Sequence, residues 1–257
     1  MDREQVIDLQ HCGLEAFYRV IGGAAESSRV LEFPGVIAAV TPACPNRSFP
    51  NSAIYRSAED LAAALDPLEA KYRHAGIEAW TVWVPEGDEA ATRLLPEAGH
   101  LLYAAPTAMA IDLADLPDPG PDAEDLDWDA DATPEEVGRL NDLAYGWGDD
   151  GFGAAFKIIN DDSMLLYRAR ADDGEVACVA ATLDVGDDCL LAMVATPPER
   201  RGAGLARRLC HLAVASGRDR GLETSSLQAS PLGRPIYERM GYAAFGAIEM
   251  WERRRGR

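Results

Sequence analysis

The sequence predicts an α+β fold in which helices flank a mixed, mainly antiparallel sheet. Two turns, 172–174 and 186–188, separate three consecutive apolar runs, and Asp-Gly between apolar runs is typical of antiparallel hairpins. Segments with helical apolar spacing lie before and after these runs, which predicts helices packed on the sheet. A helix–glycine–strand pattern occurs in both halves of the chain, so we expect two such domains in tandem.

Composition limits the classes of function. The chain has 257 residues, enough for one large domain or two ordinary ones, and 47% of them are hydrophobic, enough for a real core. The net charge of -19 argues against nucleic-acid and anionic-membrane partners. An acidic surface could attract a cationic substrate, or it could serve general solubility. The five cysteines lack C-x-x-C spacing and no apolar leader opens the chain, so we expect a cytoplasmic protein with reduced thiols.

In the N-terminal half, Ser57 and Asp60 begin a predicted helix that ends at Gly76. Its apolar face comprises Leu61, Leu65, Leu68 and Tyr72. A strand over 77–84, a helix over 89–98 and a strand over 109–112 are predicted to follow.

Residues 115–131 are rich in Pro, Gly and Asp and have little to bury, which is typical of a linker. We therefore predict one domain over residues 1–116, a linker over 117–127 and a second domain over 128–257.

The second domain begins with a capping box, Thr133 to Glu136, at the start of a predicted helix. A glycine-rich loop over 146–153 follows. Strands are then predicted over 164–171, 176–185 and 189–196, a helix from residue 205, and a strand over 223–229. The resulting order is helix, three antiparallel strands, loop, helix, strand, helix, strand.

The junction between the third of these strands and its helix is typical of an anion site. Glycines let a backbone approach a ligand closely, and the first amides of a helix lack intrahelical partners. Arg200, Arg201, Arg207 and Arg208 add cationic donors. A Walker A loop would need Gly-Lys-Ser/Thr, which is missing, and Arg207 occupies the third glycine position of a dinucleotide-binding turn. The remaining pattern, Arg/Gln-x-x-Gly-x-Gly/Ala, is met by Arg201, Gly204 and Ala206.

That pattern resembles the pyrophosphate loop of the GNAT family of acetyl-CoA-dependent N-acetyltransferases. The segment 230–242, which contains Tyr237 and ends in Gly241-Tyr242, resembles the family's Tyr-x-x-x-Gly-Phe/Tyr motif. The resemblance covers the C-terminal half and implies the GNAT fold. Residues 95–100 are similar to residues 237–242, but the first half has no Arg-x-x-Gly-x-Gly/Ala sequence. It is therefore expected to be a degenerate GNAT-like domain that lacks the pyrophosphate loop.

The resemblance also implies the site. The end of the strand would bind the pantetheine arm, the loop amides would hold the pyrophosphate of the co-substrate acetyl-CoA, and Tyr237 would be the general acid toward the leaving thiolate. The tyrosine could instead pack a helix on the sheet, and Ser230 could contact pantetheine or cap a turn. The implied cofactor-binding residues are Val194, Ala195, Thr196, Arg201, Gly202, Ala203, Gly204, Leu205, Ala206, Arg207 and Ser230.

The general base stays open between a water chain and the carboxylates of Glu199, Asp184, Asp187 and Asp188. His211 could approach the cofactor, although a packing role is the alternative. No histidine pair has metal-ligand spacing, so no metal is expected.

The acceptor is expected to be a small-molecule or peptide amine, bound by residues 141–156 and a neighbouring domain. Tyr145, Trp147 and Phe152 suggest an aromatic pocket with Trp147 and Phe152 exposed, and the acidic surroundings suggest a cationic group. The N-terminal half could wall this pocket or form an interaction surface. A non-catalytic acyl-CoA-binding regulatory module is the alternative function, and monomer and homodimer both stay open.

Overall fold

The computed structural model describes residues 1–120, 125–148 and 151–256. The elements of the N-terminal half are α1 (Arg3–Gly23), β1 (Arg29–Phe33), β2 (Val36–Val40), β3 (Ser52–Tyr55), α2 (Ala58–His74), β4 (Ala79–Pro85), α3 (Glu89–Glu97), β5 (Leu101–Ala104) and β6 (Thr107–Asp112). Those of the C-terminal half are β7 (Trp128–Asp129), α4 (Pro134–Tyr145), β8 (Met164–Arg170), β9 (Val176–Val185), β10 (Asp188–Ala195), α5 (Leu205–Asp219), β11 (Thr224–Ala229), α6 (Arg234–Arg239) and β12 (Ala243–Arg254).

The predicted fold class is confirmed, because helices flank a mixed sheet in which most strand pairs are antiparallel. The local start and stop motifs also occur as predicted. At the start of α4, the Thr133 hydroxyl accepts a hydrogen bond from the Glu136 amide at 3.2 Å. The Glu136 carboxylate in turn accepts one from the Thr133 amide at 2.8 Å. Helix α1 and strands β1 to β3 lie in a stretch for which no element was predicted.

The described residues form a twelve-stranded sheet with the order β1-β2-β3-β4-β12-β6-β11-β10-β9-β8-β7, with β5 paired to β12 beside this path. Each half contains the same local arrangement. Three strands pair antiparallel, β1-β2-β3 or β8-β9-β10. The third strand then pairs parallel to the next one through a crossover helix, β3 with β4 through α2 and β10 with β11 through α5.

Strands are exchanged between the two halves. Strand β6, from the N-terminal half, lies between β11 and β12 and pairs with both. Strand β12, from the C-terminal half, pairs with β6 through Ala247 and then with β4 from Ile248 to Arg254. Each half therefore completes the sheet of the other.

Helix α1 joins the halves on one face of the sheet. Its buried side chains, among them Phe17, Tyr18 and Ile21, share one apolar core with Val179 and Leu183 of β9. The Gln10 side chain donates to the main-chain carbonyls of Met109 on β6 and Leu227 on β11, at 3.3 and 3.2 Å.

Both ends of the predicted linker are anchored in the C-terminal half. Leu116 and Leu126 are buried in the core beneath α5, and the Leu113 amide donates to the Glu223 carbonyl at 2.8 Å. Residues 121–124 of the predicted linker lie outside the described residues. The domain boundary at 116–128 therefore stays a prediction. The described sheet is continuous across both halves, so no break in the sheet marks this boundary.

Candidate active site

The site begins where two parallel strands separate. Strands β10 and β11 pair only from Asp188–Thr224 to Leu190–Ser226, although both strands continue beyond these residues. The edge of β10 from residue 191 to 195 is thus left without a β11 partner. A row of unpaired main-chain groups on such an edge can bind an extended ligand as an added strand would.

A bulge in β10 lies at this opening. The register between β10 and β9 shifts between Ala192 and Ala195, and Met193 has φ +53. It is the one non-glycine residue with positive φ in the described ranges. The Met193 carbonyl accepts from the side chain of Asn141 on α4 at 3.3 Å. A left-handed, non-glycine residue costs about 1–2 kcal/mol, so this contact helps to hold an unfavourable turn at the candidate site.

The glycine turn after β10 presents a row of amides. Within the described hydrogen bonds, those of Gly202, Ala203 and Gly204 have no acceptor, and Leu205, Ala206 and Arg207 open α5, where the first amides lack intrahelical partners. Gly202 and Gly204 have φ +92 and +73, conformations that favour glycine. No atom within 4 Å would meet a Cβ on Gly202, and only Arg208 Cδ, at 4.0 Å, would meet one on Gly204.

The arginines near the turn have different roles. Arg200, Arg201 and Arg207 line the cavity described below, whereas Arg208 does not. Arg201 donates from Nε to the Thr196 carbonyl and from Nη2 to the Ala144 carbonyl, both at 3.0 Å, which ties the turn to the end of α4. Arg200 pairs with Asp173 at 2.7 Å.

Tyr237 stands on α6, across the opening from β10. Its side chain is 8% exposed and its ring packs edge-on against Tyr242 at 6.0 Å. Its phenol makes no hydrogen bond to any described residue. Burial raises the pKa of Tyr237 well above its usual value, so the phenol keeps its proton at neutral pH. The Ser230 hydroxyl accepts the Gly233 amide at 3.1 Å, which is the turn-capping role.

One cavity of about 1260 Å³ collects these residues. All the cofactor and catalytic candidates except Ala203 line it, namely Val194, Ala195, Thr196, Arg201, Gly202, Gly204, Leu205, Ala206, Arg207, Ser230 and Tyr237. The predicted acceptor aromatics Tyr145, Trp147 and Phe152 line it as well. The predicted exposure of Phe152 is wrong: it is 1% exposed, because its ring stacks on Phe156 at 5.3 Å. Trp147 is half-buried.

The N-terminal half supplies the rest of the cavity wall. Its contribution consists of Leu14, Phe17, Tyr18, Arg47, Ser48, Phe49, Trp83 and the segment 103–106. Glu252 and Arg254 come from the part of β12 that pairs with β4. No sequence motif marked these residues.

The carboxylates considered as general bases lie elsewhere. Asp184 pairs with Arg220 at 2.6 Å, and Asp188 is buried and accepts from Ser226 at 2.6 Å. Glu199 and Asp187 are exposed. None of the four lines the cavity in the part of the chain that the structure describes, where Glu252 is the one acidic lining residue.

The histidines are also outside the cavity. His211 is buried on α5, and burial lowers its pKa below the usual value, as expected of a packing residue. His100 is fully buried with its ring edge-on to Trp80 at 4.5 Å, and burial lowers its pKa to about 3. Among the described residues no group of three or more His, Cys, Asp and Glu could hold a metal ion.

The five cysteines are free, and all but Cys12 are buried. In the described ranges, none of the helices has the length and apolar character needed to span a bilayer.

The corresponding turn in the N-terminal half differs from the glycine turn. Helix α2 is capped by Ser57, whose hydroxyl accepts the Asp60 amide at 3.1 Å. Glu59 and Asp60 occupy its first turn. An anion at this helix end would meet two carboxylates and fewer open amides.

The sequence profile of the acetyltransferase (GNAT) domain family matches residues 162–244. The matched region belongs to the GNAT domain family. The matched region of the GNAT domain includes β10, the glycine turn, α5 and Tyr237. No curated protein sequence matches the chain. The GNAT fold supports acyl transfer in general.

Solved structures extend the likeness to both halves. A GCN5-related N-acetyltransferase from Kribbella flavida aligns with a TM-score of 0.64 at 15% identity, over 95% of this chain and 94% of that one. A putative GNAT-family acetyltransferase from Novosphingobium aromaticivorans aligns with a TM-score of 0.53 at 19% identity, over 92% and 95%. A tandem GNAT protein from the clavulanic acid biosynthesis pathway aligns with a TM-score of 0.53 at 14% identity, over 86% and 79%. At these identities the likeness shows a shared fold.

Proposed function

We propose that this GNAT protein is an N-acetyltransferase that moves an acetyl group from acetyl-CoA to an amine by direct attack in a ternary complex. One observation carries the proposal. The row of open amides at the glycine turn and the protonated phenol of Tyr237 line the same cavity, between the separated strands β10 and β11. An anion cradle beside a proton donor is what thioester aminolysis needs.

The residues present fit acetyl-CoA. The amides from Gly202 to Arg207 offer donors to a diphosphate, and the two glycines leave open space for it. Among the described residues, six arginines line the cavity of this strongly acidic chain: Arg47, Arg200, Arg201, Arg207, Arg239 and Arg254. The unpaired edge of β10 would hold the pantetheine arm.

When bound, acetyl-CoA supplies an activated acetyl thioester. The β10 bulge at Met193–Val194 would then aim a main-chain amide at the developing oxyanion. As the acceptor nitrogen bonds to the acetyl carbon and the carbon–sulfur bond breaks, Tyr237 would give its proton to the departing sulfur. The proton that the amine loses would reach water and restore the phenol.

A non-catalytic acyl-CoA-binding regulatory module is the second candidate. Tyr237 favours the enzyme, because a sensor has no need of a protonated phenol at this position. Two measurements on the full chain separate the candidates: calorimetry with CoA, and thiol release from acetyl-CoA across amines, polyamines, aminoglycosides and peptides. CoA binding with no thiol release for any acceptor would favour the regulatory module, and no CoA binding by folded protein would contradict both.

We expect Tyr237→Phe to lower kcat by ~10²-fold, a usual size for loss of one general acid, while CoA affinity stays nearly unchanged. Tyr242→Phe is the matched control, because it also removes one buried phenol. The Tyr242 hydroxyl forms a hydrogen bond with the Ser225 hydroxyl at 2.6 Å, so Tyr242→Phe should lose about 1 kcal/mol of stability. Tyr242 does not line the cavity, so Tyr242→Phe should keep its kcat. Normal turnover by Tyr237→Phe at saturating amine would assign the tyrosine a structural role.

The raised pKa of Tyr237 also predicts a pH profile. The phenol acts in its protonated form, so a pKa above its usual value moves any loss of activity to higher pH. The amine acts in its neutral form, and alkylammonium groups have pKa values of ~10. We therefore expect kcat/KM for the amine to rise with pH up to about 10 with no descending limb. A descending limb below pH 9, lost in Tyr237→Phe, would contradict this assignment.

A further inference from the structure

Helix α4 and strand β10 are tied together at the point where β10 bulges. Asn141 of α4 is only 6% exposed, and its side-chain nitrogen donates to the carbonyl of Val137, one turn earlier on the helix, at 2.9 Å. The same nitrogen donates to the Met193 carbonyl on β10 at 3.3 Å. Because both N–H groups of this side-chain amide have main-chain acceptors, the orientation of the amide is fixed.

The part of β10 that receives this contact has little support from the neighbouring strands. The register with β9 shifts between Ala192 and Ala195, so β10 carries an extra residue there. The pairing with β11 ends earlier, at Leu190. Met193 also has φ +53, a strained conformation for a residue with a side chain. A contact from outside the sheet is therefore expected to hold Met193 in this conformation.

The contact with Asn141 also sets the direction of one main-chain amide. The peptide bond between Met193 and Val194 is planar and trans, so its carbonyl and its N–H point in opposite directions. Since the carbonyl of Met193 points to Asn141, the N–H of Val194 points away from Asn141. Val194 lines the cavity, on the edge of β10 to which the proposed function assigns the pantetheine arm.

We propose that Asn141 is a positioning residue for acetyl transfer, which holds the peptide between Met193 and Val194 so that the Val194 N–H is directed at the thioester oxygen. This inference rests on the proposed function. In this role Asn141 acts through the main chain of β10 and not by contact with the acetyl group. Without its hydrogen bond, Met193 would relax toward an extended conformation, the peptide would turn, and the donor to the developing oxyanion would be lost.

The anion cradle has its own attachment to α4. Arg201 donates to the Thr196 carbonyl after β10 and to the Ala144 carbonyl at the end of α4, both at 3.0 Å. These two hydrogen bonds do not involve Asn141. Loss of the Asn141 contact should therefore disturb the bulge and leave the glycine turn, which would hold the diphosphate, in place.

Asn141→Leu tests the positioning role in the full chain, because leucine has a similar volume and no N–H donor. We expect kcat to fall roughly 10- to 100-fold, since a misdirected oxyanion donor loses most of its effect. CoA affinity measured by calorimetry should change by less than about 3-fold.

Gln10→Leu is the matched control for the loss of a buried side-chain amide. Gln10 is 1% exposed and donates to the main-chain carbonyls of Met109 and Leu227 at 3.3 and 3.2 Å, but it does not line the cavity. This variant should lower Tm and keep its kcat. An equal fall in kcat for Gln10→Leu and Asn141→Leu would assign both losses to stability and contradict the positioning role.

Met193→Gly tests whether Asn141 acts through the strained turn. Glycine adopts positive φ without strain, so the bulge should then depend less on the Asn141 contact. We expect Asn141→Leu to lower kcat less than about 5-fold when it is combined with Met193→Gly, compared with the larger loss when Met193 is retained. Equal losses in the two backgrounds would overturn the inference.

A spectroscopic readout needs no turnover and so separates this inference from the proposed function. A hydrogen bond weakens a carbonyl bond and lowers its stretching frequency. Isotope-edited infrared spectra of acetyl-CoA, labelled with carbon-13 at the acetyl carbonyl and bound without amine, should show this lowering in the unaltered chain and in Gln10→Leu. The lowering should be lost in Asn141→Leu.

The possible spectra have distinct meanings. An unshifted carbonyl in the unaltered chain, or a shift that persists in Asn141→Leu, would overturn the role of Asn141. The expected shifts without thiol release for any amine would leave that role in place and contradict acetyl transfer. No binding of acetyl-CoA by the folded chain would overturn both.

Discussion

A chain shortened to residues 122–257 is expected not to fold, although it contains the whole predicted catalytic domain. The cut removes β6, which supplies the partner of β11 and of the first part of β12. It also removes α1, whose buried residues share one apolar core with residues of β9 and β10. Burial of one large apolar side chain contributes about 1.5–3 kcal/mol, and a domain's net stability is only about 5–15 kcal/mol. Circular dichroism and thermal melting should therefore show no cooperative transition.

Complementation is the control for this result. Fragments 1–120 and 125–257, produced together, retain every strand of the described sheet and should assemble into a complex that melts cooperatively and binds CoA. The same fragments produced separately should not. A cooperative melt and CoA binding by 122–257 alone would mean that the exchanged strands are dispensable.

Gly204→Asp is expected to weaken CoA binding on the order of 10²–10³-fold. The substitution places a carboxylate among the open amides of the glycine turn, where like charge repels a diphosphate by a few kcal/mol at close range. The residue also has φ +73, so the new side chain adds about 1–2 kcal/mol of backbone strain. Calorimetry with CoA measures the first effect and thermal melting the second.

Gly76→Asp separates these two effects. Gly76 has φ +74, lies outside the cavity, and has no neighbouring atom within 4 Å of the position that a Cβ would occupy. Gly76→Asp should therefore lower Tm by about as much as Gly204→Asp does and should keep full CoA affinity. If Gly204→Asp binds CoA as tightly as Gly76→Asp does, the diphosphate does not lie at the glycine turn.

The glycine turn and the elements around it could be predicted from the sequence because their determinants are local. A capping box fixes the start of α4 within four residues, and Asp173-Gly174 fixes the β8–β9 hairpin. The glycine turn depends on two residues that can adopt positive φ just before a helix. Local sequence therefore determined the order of elements from α4 onward and the composition of the candidate anion site.

The wall of the cavity that the N-terminal half supplies could not be predicted in the same way. Phe49 and Arg47 stand in a loop with no recognised motif, and they reach the site only because Asn51 and the contact of Cys44 with Gly151 fix that loop. The four carboxylates that lie near strand ends in the sequence do not line the cavity. Glu252, the one acidic residue among the described lining residues, comes from a strand that crosses to the other half.

The sequence by itself determined the fold class, the glycine turn and the position of Tyr237 relative to it. Only the tertiary structure decided that β6 and β12 are exchanged, that α1 covers both halves, and that the N-terminal half walls the cavity. The physical reason is that alternating side chains specify which face of a strand is buried but not which neighbour it pairs with. The backbone hydrogen bonds of an edge are alike in every strand, so the partner is chosen by packing between residues distant in sequence.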